Sequence, residues 1–321
     1  QYRRATEAAR AALLEDEWNR RAVASTLVSD VAAGYFQLRA LDLELRIARN
    51  TLSARQQSLQ LTNTLYKGGV DTMLEVREAE QLVESAAVAI PDLERQTQQQ
   101  ENAISILLGE NPTAIARGKT LREQPLPQIV PAGLPSSLLE RRPDIRAQEQ
   151  ALIAANANIG VAKAQLFPSI SLTGTAGVES RSLASLISTN AVAWNAAAGL
   201  TQPIFNAGAL HANVKIAQAV RQQALFSYKQ TIQTAFEEVS NALIAYRKYH
   251  QYTEHEMRLA AAAGDADHLS QIRFKGGVAT YLEVLTNEAN YFSDELTLVA
   301  AQLNERLSLV QLYNALGGGW Q

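Results

Sequence analysis

The eleven residues YKGGVDTMLEV at 66–76 return as FKGGVATYLEV at 274–284, with eight positions identical at an offset of 208. The same offset, without a gap, pairs Asp30-Val31 with Glu238-Val239, Arg39 with Arg247 and Leu61 with Leu269. It also pairs Glu80 with Glu288, and Leu108-Gly109 with Leu316-Gly317. An ungapped repeat of this length means one supersecondary unit used twice. Within each copy the residues spell a helix reversal. Lys67 and Lys275 suit the negative end of an incoming helix. Gly68-Gly69 and Gly276-Gly277 supply a left-handed stop. Thr72 followed by Glu75, and Thr280 followed by Glu283, each spell a capping box that starts the next helix. Each copy is predicted to be the tip of a helical hairpin. Apolar Val70, Leu74, Val278 and Leu282 are then left at an exposed end, where a partner or a self-contact is expected. The copies differ at Asp71/Ala279 and Met73/Tyr281, the places where two like hairpins have diverged.

Proline placement shows where long helices fit. None precedes Pro91 and none follows Pro203, while six of the nine lie in 112–143. Segments 1–108 and 204–321 are therefore predicted to be helical, with 109–143 an irregular connector. Val31, Leu38, Leu41, Leu45, Ala48, Leu52 and Leu59 recur at spacings of three, four or seven. So do Leu285, Ala289, Phe292, Leu296, Val299, Leu303 and Val310. That is a coiled-coil seam. A helix over residues 10–66 spans about 80 Å, too long for a compact domain.

Residues 167–203 break the theme. In FPSISLTGTAGVE, Ile170, Leu172, Ala176 and Val178 fall on one face and Ser169, Ser171, Thr173 and Thr175 on the other. VAWNAAAGLTQP places Val192, Trp194, Ala196, Ala198 and Leu200 together. Two such strands joined near 180–190 fit either a membrane β-barrel hairpin or a soluble hairpin with one buried face.

The remaining composition removes function classes. A net charge of −3 argues against a nucleic-acid partner, and the absence of cysteine excludes disulfides and thiolate metal sites. No apolar run reaches the length of a membrane-spanning helix. The opening QYRRATEAAR lacks the apolar core of a signal peptide and reads as helix interior. HEMRL carries Leu259 where a zinc-binding helix needs its second histidine, and Asp265 and Asp267 lack the rest of a calcium loop. No catalytic constellation is present, and no enzyme, metal or cofactor is expected.

RRPDIRAQEQALIAANANIGVAKAQLFPSISLTG at 141–174, LTQPIFNAG at 200–208 and both glycine-broken tips together resemble the TolC-like outer membrane factors of Gram-negative bacteria. The resemblance is to the efflux lipoprotein branch, which serves resistance–nodulation–division pumps, and it covers essentially the whole chain. It implies a mainly α fold: long antiparallel helical hairpins in a two-fold internal repeat forming a trimeric α-barrel, about 100 Å long. A strand pair contributes to a trimeric transmembrane β-barrel. The implied organisation is a first hairpin at 1–108 with its tip at 67–72, an equatorial connector at 109–143 and a short helix at 144–166. A transmembrane β-hairpin at 167–203, a second hairpin at 204–316 with its tip at 275–280, and a tail at 317–321 follow.

Carried over by position, Leu282 matches the apolar constriction and Glu283 an acidic aperture position, with Glu75 its partner in the first repeat. Thr286 stands where the family often has a second aspartate. Gly68, Gly69, Val70, Thr72, Gly276, Gly277, Val278 and Thr280 match the turns that meet a periplasmic membrane-fusion adaptor. Ile170, Leu172, Val178 and Trp194 face outer-membrane lipid. The implied partners are two further copies in a homotrimer, the adaptor and the inner-membrane resistance–nodulation–division pump. Two strands per chain give six in a trimer, fewer than the roughly eight a barrel needs. A first strand pair and a helix before it are therefore expected ahead of residue 1 in the full-length protein, where the resemblance to efflux lipoproteins also implies a lipidated cysteine. Two other readings are a TolC-like channel for type I protein secretion and a soluble coiled-coil scaffold.

Overall fold

A computed structural model describes residues 1–124, 135–183, 186–187 and 191–318. The proline-rich part of the connector at 125–134, residues 184–185 and 188–190 of the strand-joining loop, and the end of the tail lie outside the described residues. The elements run α1 (Tyr2–Lys67), α2 (Met73–Leu107), a 3-10 turn at Leu121–Glu123, α3 (Pro135–Arg141) and α4 (Pro143–Ala164). β1 (Ser169–Val178), β2 (Val192–Thr201), α5 (Ala209–Lys275) and α6 (Tyr281–Ala315) complete the chain. The connector is not wholly irregular, since it contains α3. Pro135 and Pro143 stand at the first positions of α3 and α4, where a missing N–H costs nothing and the fixed φ favours a helix. Pro91, by contrast, sits inside α2, and there it deprives the Ala87 carbonyl of its helical donor.

The chain divides into two compact units, 21–142 with 234–321 and 1–20 with 143–233. In the first, α1 is flanked on two sides. Ala40, Leu43 and Ile47 bury against Leu121 and against Val299 of α6, with Phe292, Leu296 and Leu303 packed beside them. Toward α2, the Gln100 amide donates to the Gly34 carbonyl at 3.0 Å, and Arg55 Nη1 donates to the Leu82 carbonyl at 2.9 Å. The predicted α6 seam is therefore seen in this core, whereas the α1 seam is only part of what α1 buries. Leu38 and Ala48 are buried, but Leu41 and Leu45 are half-buried because a second stripe through Leu43 and Ile47 takes the α6 contact. A helix with neighbours on two sides needs two stripes rather than one.

Charged groups tie the connector to this unit. Arg39 Nη1 meets Asp42 at 2.6 Å and Arg117 Nε meets the same carboxylate at 3.1 Å, while Arg117 also pairs with Glu101. Arg142 donates to the Ala315 carbonyl at 3.1 Å and pairs with Glu238 at 2.6 Å. In the other unit, α1 lies close to α4. A β-carbon at Gly160 would come within 2.9 Å of the Arg4 side chain, and Arg146 stands 5.7 Å over the Trp18 ring.

Both tips close in the same way. Gly69 (φ 76°) donates to the Tyr66 carbonyl and Val70 to that of Leu65; Gly277 (φ 70°) donates to Phe274 and Val278 to Arg273. These paired bonds form a Schellman stop, and α2 and α6 end likewise on Gly109 and Gly317. Only the second glycine of each tip needs the left-handed region. Gly69→Ala and Gly277→Ala are each expected to cost about 1–2 kcal/mol. Gly276→Ala, whose new β-carbon would sit at ordinary contact distance from Ile272 O, should be nearly neutral. Thermal unfolding of the detergent-solubilised protein measures the contrast.

Candidate functional site

The tips share a backbone but not their side-chain bonds. At the first, Thr72 Oγ1 accepts from the Leu74 amide at 3.2 Å, and the Thr72 amide donates to Glu75 Oε2 at 3.0 Å. This is the capping box read from sequence. The Thr72 hydroxyl also donates to the same carboxylate, and these bonds hold the Glu75 carboxyl below its ordinary range. At the second tip the capping box is not made. Thr280 has the extended backbone of a cap, but its side chain caps nothing, and the Glu283 amide instead donates to the Thr280 carbonyl at 3.1 Å. Glu283 Oε1 lies 3.5 Å from Arg273 Nε on the last turn of α5. The repeat supplies the reason: Leu65 occupies the place of Arg273 in the first copy, so only Glu283 has a cation to draw it from its cap. Both members of that pair are well exposed, which makes it worth under about 1 kcal/mol.

Beyond the reversals, Val70, Leu74, Val278 and Leu282 all stand exposed, Leu282 at 62%. Thr286 is exposed as well and spends its hydroxyl on the Leu282 carbonyl at 2.9 Å. Leu282, Glu283 and Thr286 thus present an apolar side chain, one carboxylate and a hydroxyl already bonded to its own helix.

The Met73/Tyr281 divergence has a structural meaning. Met73 is 45% exposed, whereas Tyr281 is 4% exposed and forms a core with Ala79, Val284 and Leu285, with Leu59 and Phe274 packed against it. Its hydroxyl lies 3.2 Å from Ser58 Oγ on α1, and its ring centroid is 5.2 Å from that of Phe274. Tyr281 pins the start of α6 to the first hairpin.

The strand pair presents a second surface. β1 and β2 are antiparallel, with Ile170 opposite Leu200, Leu172 opposite Ala198, Ala176 opposite Trp194 and Val178 opposite Val192. Residues directly opposite share a face, so Ile170, Leu172, Val178 and Trp194 stand together on an apolar one. Ser169, Ser171, Thr173 and Thr175 occupy the other, with Asn195 opposite Thr175. Every residue of both strands is exposed, and among the described residues no element covers either face. Neither face is buried by the described residues of the chain.

A family model described as outer membrane efflux protein matches residues 1–110 and 134–318. The chain belongs to the outer membrane efflux protein family. Among its relatives in that family, the solvent efflux pump outer membrane protein SrpC of Pseudomonas putida is 38% identical over 308 residues, covering 96% of this chain and 65% of that protein. Outer membrane protein OprJ of Pseudomonas aeruginosa is 36% identical over 98% of this chain and 66% of its own length. The chain thus spans just under two thirds of the length of such relatives. Among solved structures, the open state of the Neisseria gonorrhoeae MtrE outer membrane channel matches with a TM-score of 0.90 at 34% identity, covering 99% of this chain and 72% of that one. The fold class is that of an efflux outer-membrane channel, with helical hairpins for an α-barrel and a strand pair for a β-barrel.

Sequence reasoning did not find the inward role of Tyr281, although its departure from Met73 was visible in the repeat. Tyr281→Ala is expected to cost several kcal/mol, comparable to other buried aromatic truncations at about 3–5. Tyr281→Phe should cost about 1 kcal/mol for the lost hydrogen bond, and Met73→Ala close to nothing. Protease susceptibility at the second tip, followed with thermal unfolding, tests this order.

Proposed function

We propose that this chain is the outer-membrane duct of a tripartite efflux system, a passive exit for drugs or other small toxic compounds. The observation that carries the reading is the β1–β2 ribbon, apolar on one face and hydroxyl-bearing on the other, with both faces exposed within the chain. Such a ribbon suits lipid on one side and an aqueous lumen on the other. Relatives named for solvent, antibiotic and cation efflux support the transport assignment. In this reading residues 1–108 and 204–316 wall a periplasmic tunnel in a homotrimer, 109–143 belongs to an equatorial girdle, and 167–203 enters the outer membrane.

No step in the chain consumes energy. An inner-membrane resistance–nodulation–division pump drives substrate, and a periplasmic membrane-fusion adaptor engages the tips at Gly68, Gly69, Val70 and Thr72 and at Gly276, Gly277, Val278 and Thr280. The exposed Val70 and Val278 give the adaptor apolar anchors. Leu282 narrows the aperture and excludes water from it. Glu283 and Glu75 place carboxylates near the mouth, which favours cations over anions, and Thr286 adds no charge one turn on. Opening is an iris-like swing of the second hairpin, resisted by the Tyr281 anchor.

Two experiments test this. Leu282→Ala combined with Glu283→Ala should raise single-channel conductance in planar bilayers, and unchanged conductance would count against the gate. Leu172→Arg should reduce folded protein in the outer membrane, at a cost of about 2–4 kcal/mol near mid-bilayer. Thr173→Arg, on the lumen side, should leave the amount nearly unchanged. Equal loss from both would sink the assignment of faces.

A further inference from the structure

Some two turns in from the second tip, α1 meets α5 and α6 around a group of charges with too few partners. Arg55 is only 3% exposed. Its Nη1 donates to the Leu82 carbonyl of α2 and its guanidinium stands 5.2 Å over the Phe292 ring, yet its buried Nε meets no acceptor. Asp267 of α5 and Glu288 of α6 line the same cavity of about 260 Å³. Asp267 Oδ2 accepts from Gln271 at 3.1 Å, but Asp267 Oδ1 and Glu288 Oε2 are buried without a protein partner. Glu295 completes the acidic side, with Arg122 of the 3-10 turn acting on it and on Tyr291, and His268 acting on Asp267. From α2, the Leu82 carbonyl reaches Arg55.

The repeat shows that this cluster is particular to one joint. Arg55 has Ala263 at its equivalent position, and Asp267 has Leu59. Glu80, the counterpart of Glu288, pairs with Arg77 at 2.5 Å on an open surface. Charges have therefore been introduced where the first hairpin abuts the second, and a buried ion without a close partner is costly.

We propose that Arg55, Asp267 and Glu288 form a proton-operated latch between the two hairpins, closed when Glu288 is protonated and loosened when it ionises. With Glu288 neutral, Arg55 balances the Asp267 carboxylate while Arg122 answers Glu295. With Glu288 charged, two desolvated carboxylates share one cation, and the excess is relieved by admitting water, which means parting α1 from α5 and α6. Burial, reinforced by the Asp267 charge and opposed by Arg55, raises Glu288 from 4.5 to about 7. A carboxyl raised in the packed state stabilises that state fully below its ordinary value, and the stabilisation is lost as pH rises through about 7. The latch is thus closed on the acid side and released on the alkaline side. Its bearing on gating rests on the reading of the hairpins as a tunnel wall; the latch itself does not.

The test is a pair of spin labels at Gln57→Cys on α1 and Asn290→Cys on α6, in the solubilised full chain, with distances recorded from about pH 5 to about pH 9. The parent should pass from a narrow to a broader, longer distribution with a midpoint near pH 7. Glu288→Gln should remain narrow throughout, Asp267→Asn should move the midpoint to lower pH, and Glu80→Gln should leave it in place. A parent that does not respond, or a Glu288→Gln variant that titrates like the parent, overturns the proposal. Conductance recorded over the same range separates the two readings. Distances that titrate while no channel forms keep the latch and remove the duct; channels whose hairpin distances ignore pH do the reverse.

Discussion

The packing of α1 between two neighbours is the constraint on which the rest of the first unit depends. A helix with one partner can keep a single apolar stripe and surround it with charge. A helix with partners on both flanks has to divide its circumference, and α1 does so with Leu43 and Ile47 toward α6 and with Gly34 and Arg55 reaching α2. Each buried leucine or isoleucine side chain contributes roughly 1.5–3 kcal/mol. A repeating seam is therefore sufficient to hold the helices side by side without a thick core. The arrangement leaves the remaining faces of each helix uncovered within this unit. It also explains why polar residues such as Arg39 and Arg55 come to be buried: helices joined along narrow seams have little apolar interior in which to hide their edges.

Because the seams are narrow, the irregular joints carry much of the specificity. The Arg39–Asp42–Arg117–Glu101 group fixes the start of the connector, and Arg142 bridges the Ala315 carbonyl and Glu238. These joints take guanidinium groups, whose several donors satisfy carbonyl and carboxylate acceptors together. The tips do the opposite, since their hydrogen bonds are internal to each turn and their apolar side chains face outward.

Much of this was legible in the sequence because it is written in local pattern. Glycine at a left-handed stop, Thr three residues before Glu, and alternation along Ile170, Leu172 and Val178 are short-range signals with direct structural counterparts. Apart from α3 in the connector, which has a local proline signal, the misreadings share one physical origin. The second capping box failed because Arg273, close in space but on another helix, competes for Glu283. The second α1 stripe and the inward turn of Tyr281 likewise depend on a neighbour that no local window contains. The Arg55, Asp267 and Glu288 group joins positions 55, 267 and 288, and only the breaking of the repeat at Ala263 and Leu59 hints at it.

The two-stranded ribbon has a consequence for how such a molecule comes into being. Each strand satisfies one edge with its partner and turns the other outward, and nothing else among the described residues pairs with it. In hydrocarbon, where open edges are not tolerated, a lone ribbon has nowhere to reside. On the function proposed above, closure needs further strands, and insertion into the bilayer is then coupled to their association, with a yield that depends on concentration. In that setting the open edge of a sheet acts as a counting device, admitting the protein to the membrane only in complete sets.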